Sequence, residues 1–311
     1  MRKHRRAAAA TSAASILDGL FRRRVLLILG KGGVGRTRAT ALLASAAVSR
    51  GLRTLVMETD TRRPLAAAYG RDTSFAPIEV APNLFAMLLD RQKSLEEYLS
   101  FSLARPMLKL VFASALYQYF VQAAPGLREL TMMGKIYNEI ERRPAGSLYW
   151  DIIIVDMPAS GQALNMLAMP GAAAETFARN LVGNEAGEVA RFLSDDTKCA
   201  SVIVSLAEPL AVAEAIEIDQ RLTAVAMGTA GVICNRIIAA NYGAAEVAML
   251  EEHGQTRHLP QSELLVRLAR CGLEQHEREH AVIEQLRRQI DAPLLRLPEA
   301  GSALLTGAFM D

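Results

Sequence analysis

Residues 30–37 read Gly-Lys-Gly-Gly-Val-Gly-Arg-Thr. Gly30, Gly32, Gly33 and Gly35, grouped around Val34, let a backbone turn through positive φ and aim its N–H groups inward. Together with the first turn of a following helix, those N–H groups form a cradle for phosphate oxygens. The hydroxyl of Thr37 can be placed on Mg²⁺, and position 36 can carry a cation to the terminal phosphates of a nucleotide. That cation is Arg36, where the general motif has lysine. Lys31 puts a second cation at the start of the loop. The chemistry implied is the binding of ATP with Mg²⁺.

Carboxylates follow at two other places that end in apolar runs. Thr54–Met57 runs into Glu58-Thr59-Asp60, and residues 151–155 run into Asp156-Met157-Pro158. A carboxylate at the end of a buried strand, facing the loop, can hold Mg²⁺ through water, and Asp156 is the candidate.

The elements that must position these groups are strands and helices in alternation. Residues 24–29, Arg24 followed by five apolar residues, read as a strand buried on both faces. Residues 37–50 read as an Ala- and Leu-rich helix closed by Gly51, and 54–57 as a second strand, completing a strand–helix–strand unit. Further strands are expected at 83–89, 151–155, 200–206, 230–234 and 294–297. Residues 94–141 read as helical, with breaks at Pro106 and Pro125-Gly126. The fold class expected is α/β, a doubly wound, mostly parallel sheet with a helical insert at about 94–141. Ligands in such sheets sit beyond the carboxyl ends of the strands, which brings 30–37 and 156–162 together. Two regions are expected: residues 1–23 as a basic flexible tail or helix, and residues 24–311 as the nucleotide-binding domain.

Composition narrows the classes. The chain has 311 residues, 51% hydrophobic and 22% charged, with a net charge of +2. The balance argues against disorder and gives no footprint for nucleic acid. Cys199, Cys234 and Cys271 are scattered and odd in number, the pattern of a reducing, cytoplasmic environment. No apolar run reaches the roughly 20 residues that span a bilayer, so no integral membrane segment is expected. Arg2, Lys3, Arg5 and Arg6 could still touch anionic lipid at a membrane periphery.

Beyond the loop, the motifs resemble one family. Gly-Lys-Gly-Gly-Val-Gly-x-Thr is the deviant Walker loop of the ATPases that include the arsenite-pump ATPase ArsA, the ATPase that targets tail-anchored membrane proteins, and MinD/ParA. Glu58-Thr59-Asp60-Thr61 resembles the ArsA-type Ser-Thr-Asp-Pro segment, without its proline. Asp156-Met-Pro-Ala-Ser-Gly161-Gln162 resembles the ArsA-type switch, with Gln162 in place of histidine. Val232-Ile-Cys-Asn235-Arg236 resembles its Val-Val-Asn-Arg segment, and the Glu208-Pro209 stretch with Glu214 resembles the segment after the fourth core strand. Ala124-Pro-Gly-Leu-Arg-Glu-Leu130 looks like a stretch found in bacterial ArsA homologues, to which the chain is most similar.

The resemblance implies roles. Lys31 would reach across a dimer to the partner's nucleotide, in a homodimer or in a heterodimer with an ArsA-like paralogue. Asp60 would orient the attacking water, with Glu58 as the fallback carboxylate. Gly161 would present its N–H near the γ-phosphate. Asn235 would contact the adenine, with Pro298 flanking it. Arg38 stands where the family has a second threonine and adds charge near the α-phosphate. Lys31, Arg36 and Asp60 are thus the catalytic candidates for ATP hydrolysis. Arg36 is planar and less adaptable than lysine, so slow turnover is expected. The alternative is a catalytically degenerate ATP-binding subunit of a heterodimer. A MinD/ParA-like positioning ATPase is a further alternative, hinted at only by the basic N-terminus.

Other signals carry less. His276-Glu-Arg-Glu-His280 matches zinc-protease helix patterns but sits in a charged helix with its own i,i+4 pairs. The scattered cysteines do not make an arsenite site. The apolar stretch 94–141 reads first as core or dimer packing. It could also form a groove for a hydrophobic-helix or membrane-protein client, with Met107, Met132 and Met133 as adaptable lining.

Overall fold

The computed structural model describes residues 12–60, 62, 64–102, 126–238, 243–257 and 262–299. The strand segments read from the sequence all form. β1 (Val25–Gly30), β2 (Thr54–Glu58), β5 (Ile152–Asp156), β6 (Cys199–Leu206) and β7 (Thr229–Ile237) lie side by side, with β4 (Leu84–Leu88) and β8 (Leu294–Pro298) outside them. With β3 (Ile78–Ala81) they make one eight-stranded sheet, ordered β3-β4-β2-β5-β1-β6-β7-β8. Every pairing is parallel except β3 with β4. Every residue of β1, β2 and β5 is buried, which is why these segments read as unbroken apolar runs.

β3 was not expected. It is a short edge strand, half exposed and interrupted by Glu79, so it has no apolar run to betray it. Asn83, at φ 61°, turns the chain back into β4.

Helices cover both faces. One face carries α1 (Ala13–Leu20) and α2 (Arg36–Val48), whose Leu17, Leu20, Leu43 and Ala47 pack on Leu26, Ile28, Val202 and Ile233. The other face carries α5 (Leu127–Glu141), α6 (Ser160–Thr176), α7 (Leu181–Ser194), α8 (Pro209–Ala224) and α10 (Ser262–Gln289). Between β2 and β5, the chain also forms α3 (Pro64–Tyr69) and α4 (Arg91–Ser102), and α9 (Ala244–Arg257) pairs with α10.

Met132 and Met133 are buried in the core under α5, so they are packing and not open groove lining. Met107 lies outside the described residues. A buried polar cluster holds α5 in place. Lys135 Nζ donates to Glu97 of α4 at 2.8 Å and to Glu139 at 3.0 Å, and Trp150 Nε1 donates to Glu139 at 3.1 Å.

Candidate functional site

The register of the central strands assembles the site. Ile28 of β1 pairs with Asp156 of β5, and Asp156 pairs in turn with Glu58 of β2. The chain leaves β1 at Gly30, two residues beyond Asp156's partner, and turns at once into α2. Gly30 has φ 155°, and a Cβ there would fall 2.4 Å from the carbonyl oxygen of Val204. Gly33 (φ 90°) and Gly35 (φ 91°) are left-handed.

Gly32 departs from the expectation that all four glycines turn through positive φ. Its φ lies outside the positive range, it is exposed, and a Cβ there would meet nothing within 4 Å. The reversals at Gly33 and Gly35 are enough to carry the chain from β1 into α2, so position 32 does not have to be left-handed. Neither the backbone conformation nor the space of this structure requires glycine at position 32. Its missing side chain leaves the loop backbone open to solvent at this position.

Gly35 is also the N-cap of α2, and no side chain caps it. The N–H groups of the first turn are thus left for a ligand, and an anion suits them.

Thr37 Oγ1 donates to Asp156 Oδ2 at 2.7 Å. Asp156 is almost fully buried, and its other oxygen, Oδ1, has no hydrogen-bond partner. An orphaned buried carboxylate oxygen is costly unless something meets it. Burial pushes the Asp156 carboxyl above the usual range, against the hydrogen bond from Thr37 and the charge of Arg36. A hydroxyl and a carboxylate side by side below a phosphate cradle are the hard oxygen donors that Mg²⁺ takes, with water and phosphate completing its shell. These residues fit the ion. No group of three or more His, Cys, Asp or Glu that could hold a metal occurs among the described residues. On α10, Glu279 is turned inward to accept from Ile238 N, while Arg278 pairs with Glu274 one turn away on the exposed face.

The cations of the loop go to three different places. Arg36 Nη1 donates to the carbonyl oxygens of Met157, at 2.5 Å, and of Pro158, in the turn that leads from β5 into α6. Burial pushes the Arg36 guanidinium below its ordinary value, partly offset by Asp156 and Asp60. Lys31 Nζ pairs with Glu214 of α8 at 2.8 Å, both side chains about one third exposed. Arg38 spans to the far strands, donating from Nη1 to Asn235 Oδ1 and from Nη2 to the Pro298 carbonyl, each at 3.0 Å. Asn235 Nδ2 in turn donates to the carbonyl of Val34 at 2.8 Å. The amide of Asn235 therefore faces the loop.

Asp60 lies beyond β2 and accepts a two-pronged contact from Arg62, with Nη2 at 2.7 Å from Oδ2. Hydrogen bonds from Arg62 hold its carboxyl below the usual carboxylate range. Glu58, by contrast, is buried and committed, accepting from Leu65 N at 3.0 Å and from the Thr73 hydroxyl. Gly161 sits in the first turn of α6, whose N-cap Ala159 offers no side-chain cap.

Asp156, the Met157–Pro158 turn and Asn235 thus border the loop of residues 30–38, with Asp60 within electrostatic reach of Arg36. Sequence reading did not anticipate the carbonyls of Val34, Met157, Pro158 and Pro298. Main-chain acceptors leave no trace in residue type, so no motif could have pointed to them.

Comparison with known proteins gives a consistent result. The family profile described as anion-transporting ATPase (ArsA_ATPase) matches residues 23–186, just over half the chain. The ATPase BagA of Mycobacterium tuberculosis is 26% identical over 240 residues, covering 74% of this chain and 69% of the relative. An uncharacterized protein of Streptomyces coelicolor is 35% identical over 149 residues, 47% of this chain and 37% of the relative. A putative arsenical pump-driving ATPase of Aquifex aeolicus is 26% identical over 159 residues, 47% of this chain and 38% of the relative. The matched span contains the loop, Asp60, Asp156 and Gly161. Asn235 and Pro298 lie beyond the profile.

Proposed function

This chain belongs to the anion-transporting ATPase family, and from that premise we propose that it binds Mg²⁺ and ATP at residues 30–38 and hydrolyses the ATP. The observation that carries the reading is the Thr37–Asp156 pair beside the glycine loop, with Asp156 Oδ1 buried and unmet. Thr37 and Asp156 are the residues that would hold the ion, Asp156 through water, and the ion would neutralise charge building on the phosphates. The N–H groups from Gly32 to Thr37 would cradle the phosphates, and Gly161 would add one near the γ-phosphate. Asp60, kept anionic by Arg62, is suited to orient a water. Arg36 would leave the carbonyls of Met157 and Pro158 to meet the phosphate, and that exchange makes slow turnover the expectation.

We further propose a dimer in which Lys31 exchanges Glu214 for the partner's nucleotide, and in which nucleotide state alters a client surface on the helices between β4 and β5. A cavity of about 450 Å³ between α4, α5 and α7, walled by Tyr98, Leu130, Tyr137 and Val189, supports that location. No described helix is long and apolar enough to cross a membrane.

A second reading rests on Arg36. A guanidinium already satisfied by two carbonyls suits a subunit that binds ATP without turning it over, paired with an active paralogue. Steady-state hydrolysis by the purified chain with Mg²⁺, beside Lys31→Ala, separates the two. Turnover lost with Lys31 supports the ATPase. ATP binding without turnover supports the degenerate subunit, and no binding removes both.

A further inference from the structure

Glu58 is the last residue of β2 and is 1% exposed. Its place in the sheet is fixed from both sides. It stands in register with Leu88 of β4 and Asp156 of β5, and its carbonyl accepts from Leu89 N at 2.8 Å. A carboxyl group buried this far is unfavourable unless its oxygens are met by donors. Oε2 accepts from Leu65 N at 3.0 Å, and Oε1 accepts from the buried hydroxyl of Thr73.

These two bonds fasten the chain that follows β2. Leu65 lies in the first turn of α3, and its side chain is buried. Thr73 lies beyond α3, and the carbonyl of the next residue, Ser74, accepts from Leu88 N at 2.7 Å. One side chain thus ties the segment on either side of α3 to the end of β2, across 7 and 15 residues of chain.

Asp60 lies in the shorter of these two closed loops. At one end of that loop, the Thr59 hydroxyl donates to the carbonyl of Asp156 at 2.9 Å. At the other end stands the bond from Leu65 N to Glu58. The contact of Asp60 with Arg62 is local, two residues along the chain, and the Arg62 side chain is 88% exposed. A contact inside the loop moves with the loop. It does not set where Asp60 stands relative to Asp156 and Arg36. The bonds of Thr59 and Glu58 fasten the loop to the sheet.

We propose that Glu58 is a positioning residue for hydrolysis, holding this loop so that Asp60 stands where it can orient the attacking water. This rests on the hydrolysis reading above. Glu58 acts through Asp60 and does not itself work on the water.

The test is steady-state ATP hydrolysis by the full chain with Mg²⁺, beside calorimetric titration with ATP. Glu58→Ala is expected to lower kcat about 10²-fold, the scale for a group misplaced by about 1 Å, with the dissociation constant for ATP changed by less than about threefold. Glu58→Gln keeps an oxygen for Leu65 N and an amide that can donate to the Thr73 hydroxyl oxygen, so it should retain most of the turnover. The charge of Glu58 also bears on Asp156, and this variant removes the charge while keeping the tether. On an Asp60→Asn background, Glu58→Ala should cause no further loss, because its effect runs through Asp60. A purely structural role would multiply the two losses. Thr73→Val cuts one of the two bonds and is expected to give an intermediate loss, so it reads the same tether if Glu58→Ala does not fold. Equal losses in Glu58→Gln and Glu58→Ala, or losses that multiply in the double variant, would overturn the proposal. Wild-type turnover that Glu58→Ala leaves intact would overturn it alone, whereas no turnover by the wild type would remove the hydrolysis reading with it.

Discussion

Thr37 Oγ1 and Asp156 Oδ2 stand 2.7 Å apart, joining the first turn of α2 to the end of β5 across 119 residues of chain. The bond pre-aligns the two groups proposed to hold Mg²⁺. Thr37→Ala is expected to abolish the enhancement of ATP binding by Mg²⁺, measured by titration with and without EDTA. It should cost the nucleotide-free protein only about 1 kcal/mol in urea denaturation, the worth of one hydrogen bond. An unchanged Mg²⁺ effect would place the ion elsewhere.

Asp156 gives the site a pH dependence. Burial holds its carboxyl above the usual range, so the folded protein binds that proton more tightly than the unfolded chain does. Its ionisation therefore lowers stability as pH rises through the folded pKa, and the penalty is absent below the unfolded pKa of about 4. Asp156→Asn is expected to raise the melting temperature of the metal-free protein at neutral pH, by an amount that shrinks as the pH falls. In the wild type the proton competes with Mg²⁺, so Mg²⁺-dependent ATP binding should weaken as the pH falls through the folded pKa of Asp156. A flat profile, or no stabilisation in the variant, would contradict this.

Gly33 and Gly35 share φ near 90° but differ in surroundings. A Cβ on Gly33 meets nothing within 4 Å, whereas one on Gly35 meets Asn235. Gly33→Ala should therefore cost only the left-handed conformation, about 1 to 2 kcal/mol. Gly35→Ala should cost more and also abolish nucleotide binding, because it displaces the amide that steadies Val34. Equal losses by chemical denaturation would show that backbone strain alone matters.

Lys135 is predicted to be a stability determinant. It is buried, pairs with Glu97 and Glu139, and lies 4.9 Å from the centre of the Phe75 ring. Lys135→Ala leaves the buried Glu139 carboxylate with Trp150 Nε1 and a longer contact to Arg142. The expected loss is about 3 to 5 kcal/mol, the range for breaking a buried pair from one side. Urea unfolding followed by the fluorescence of Trp150, the only tryptophan, reads it directly. A loss under about 1 kcal/mol would mean that the pair behaves as a solvated one.

The α/β class, the strand segments and the glycine loop were legible because each is written locally. A strand buried on both faces must be apolar at every position, as β1 and β5 are, and a phosphate cradle needs glycine where φ turns positive, as at Gly33 and Gly35. The converse does not hold, since Gly32 is a glycine without that turn, and only the path of the loop decides which glycines reverse the chain. β3 escaped because a half-exposed edge strand places no such demand on its residues. What Lys31, Arg36 and Asn235 touch was not legible. Lys31 meets Glu214 on α8, Arg36 meets two carbonyls after β5, and Asn235 is fastened to Val34 and Arg38 about two hundred residues earlier in the chain. Motifs record which groups a loop carries. Where their hydrogen bonds end depends on strand order and register, which bring distant segments together, and on main-chain acceptors that every residue type supplies alike.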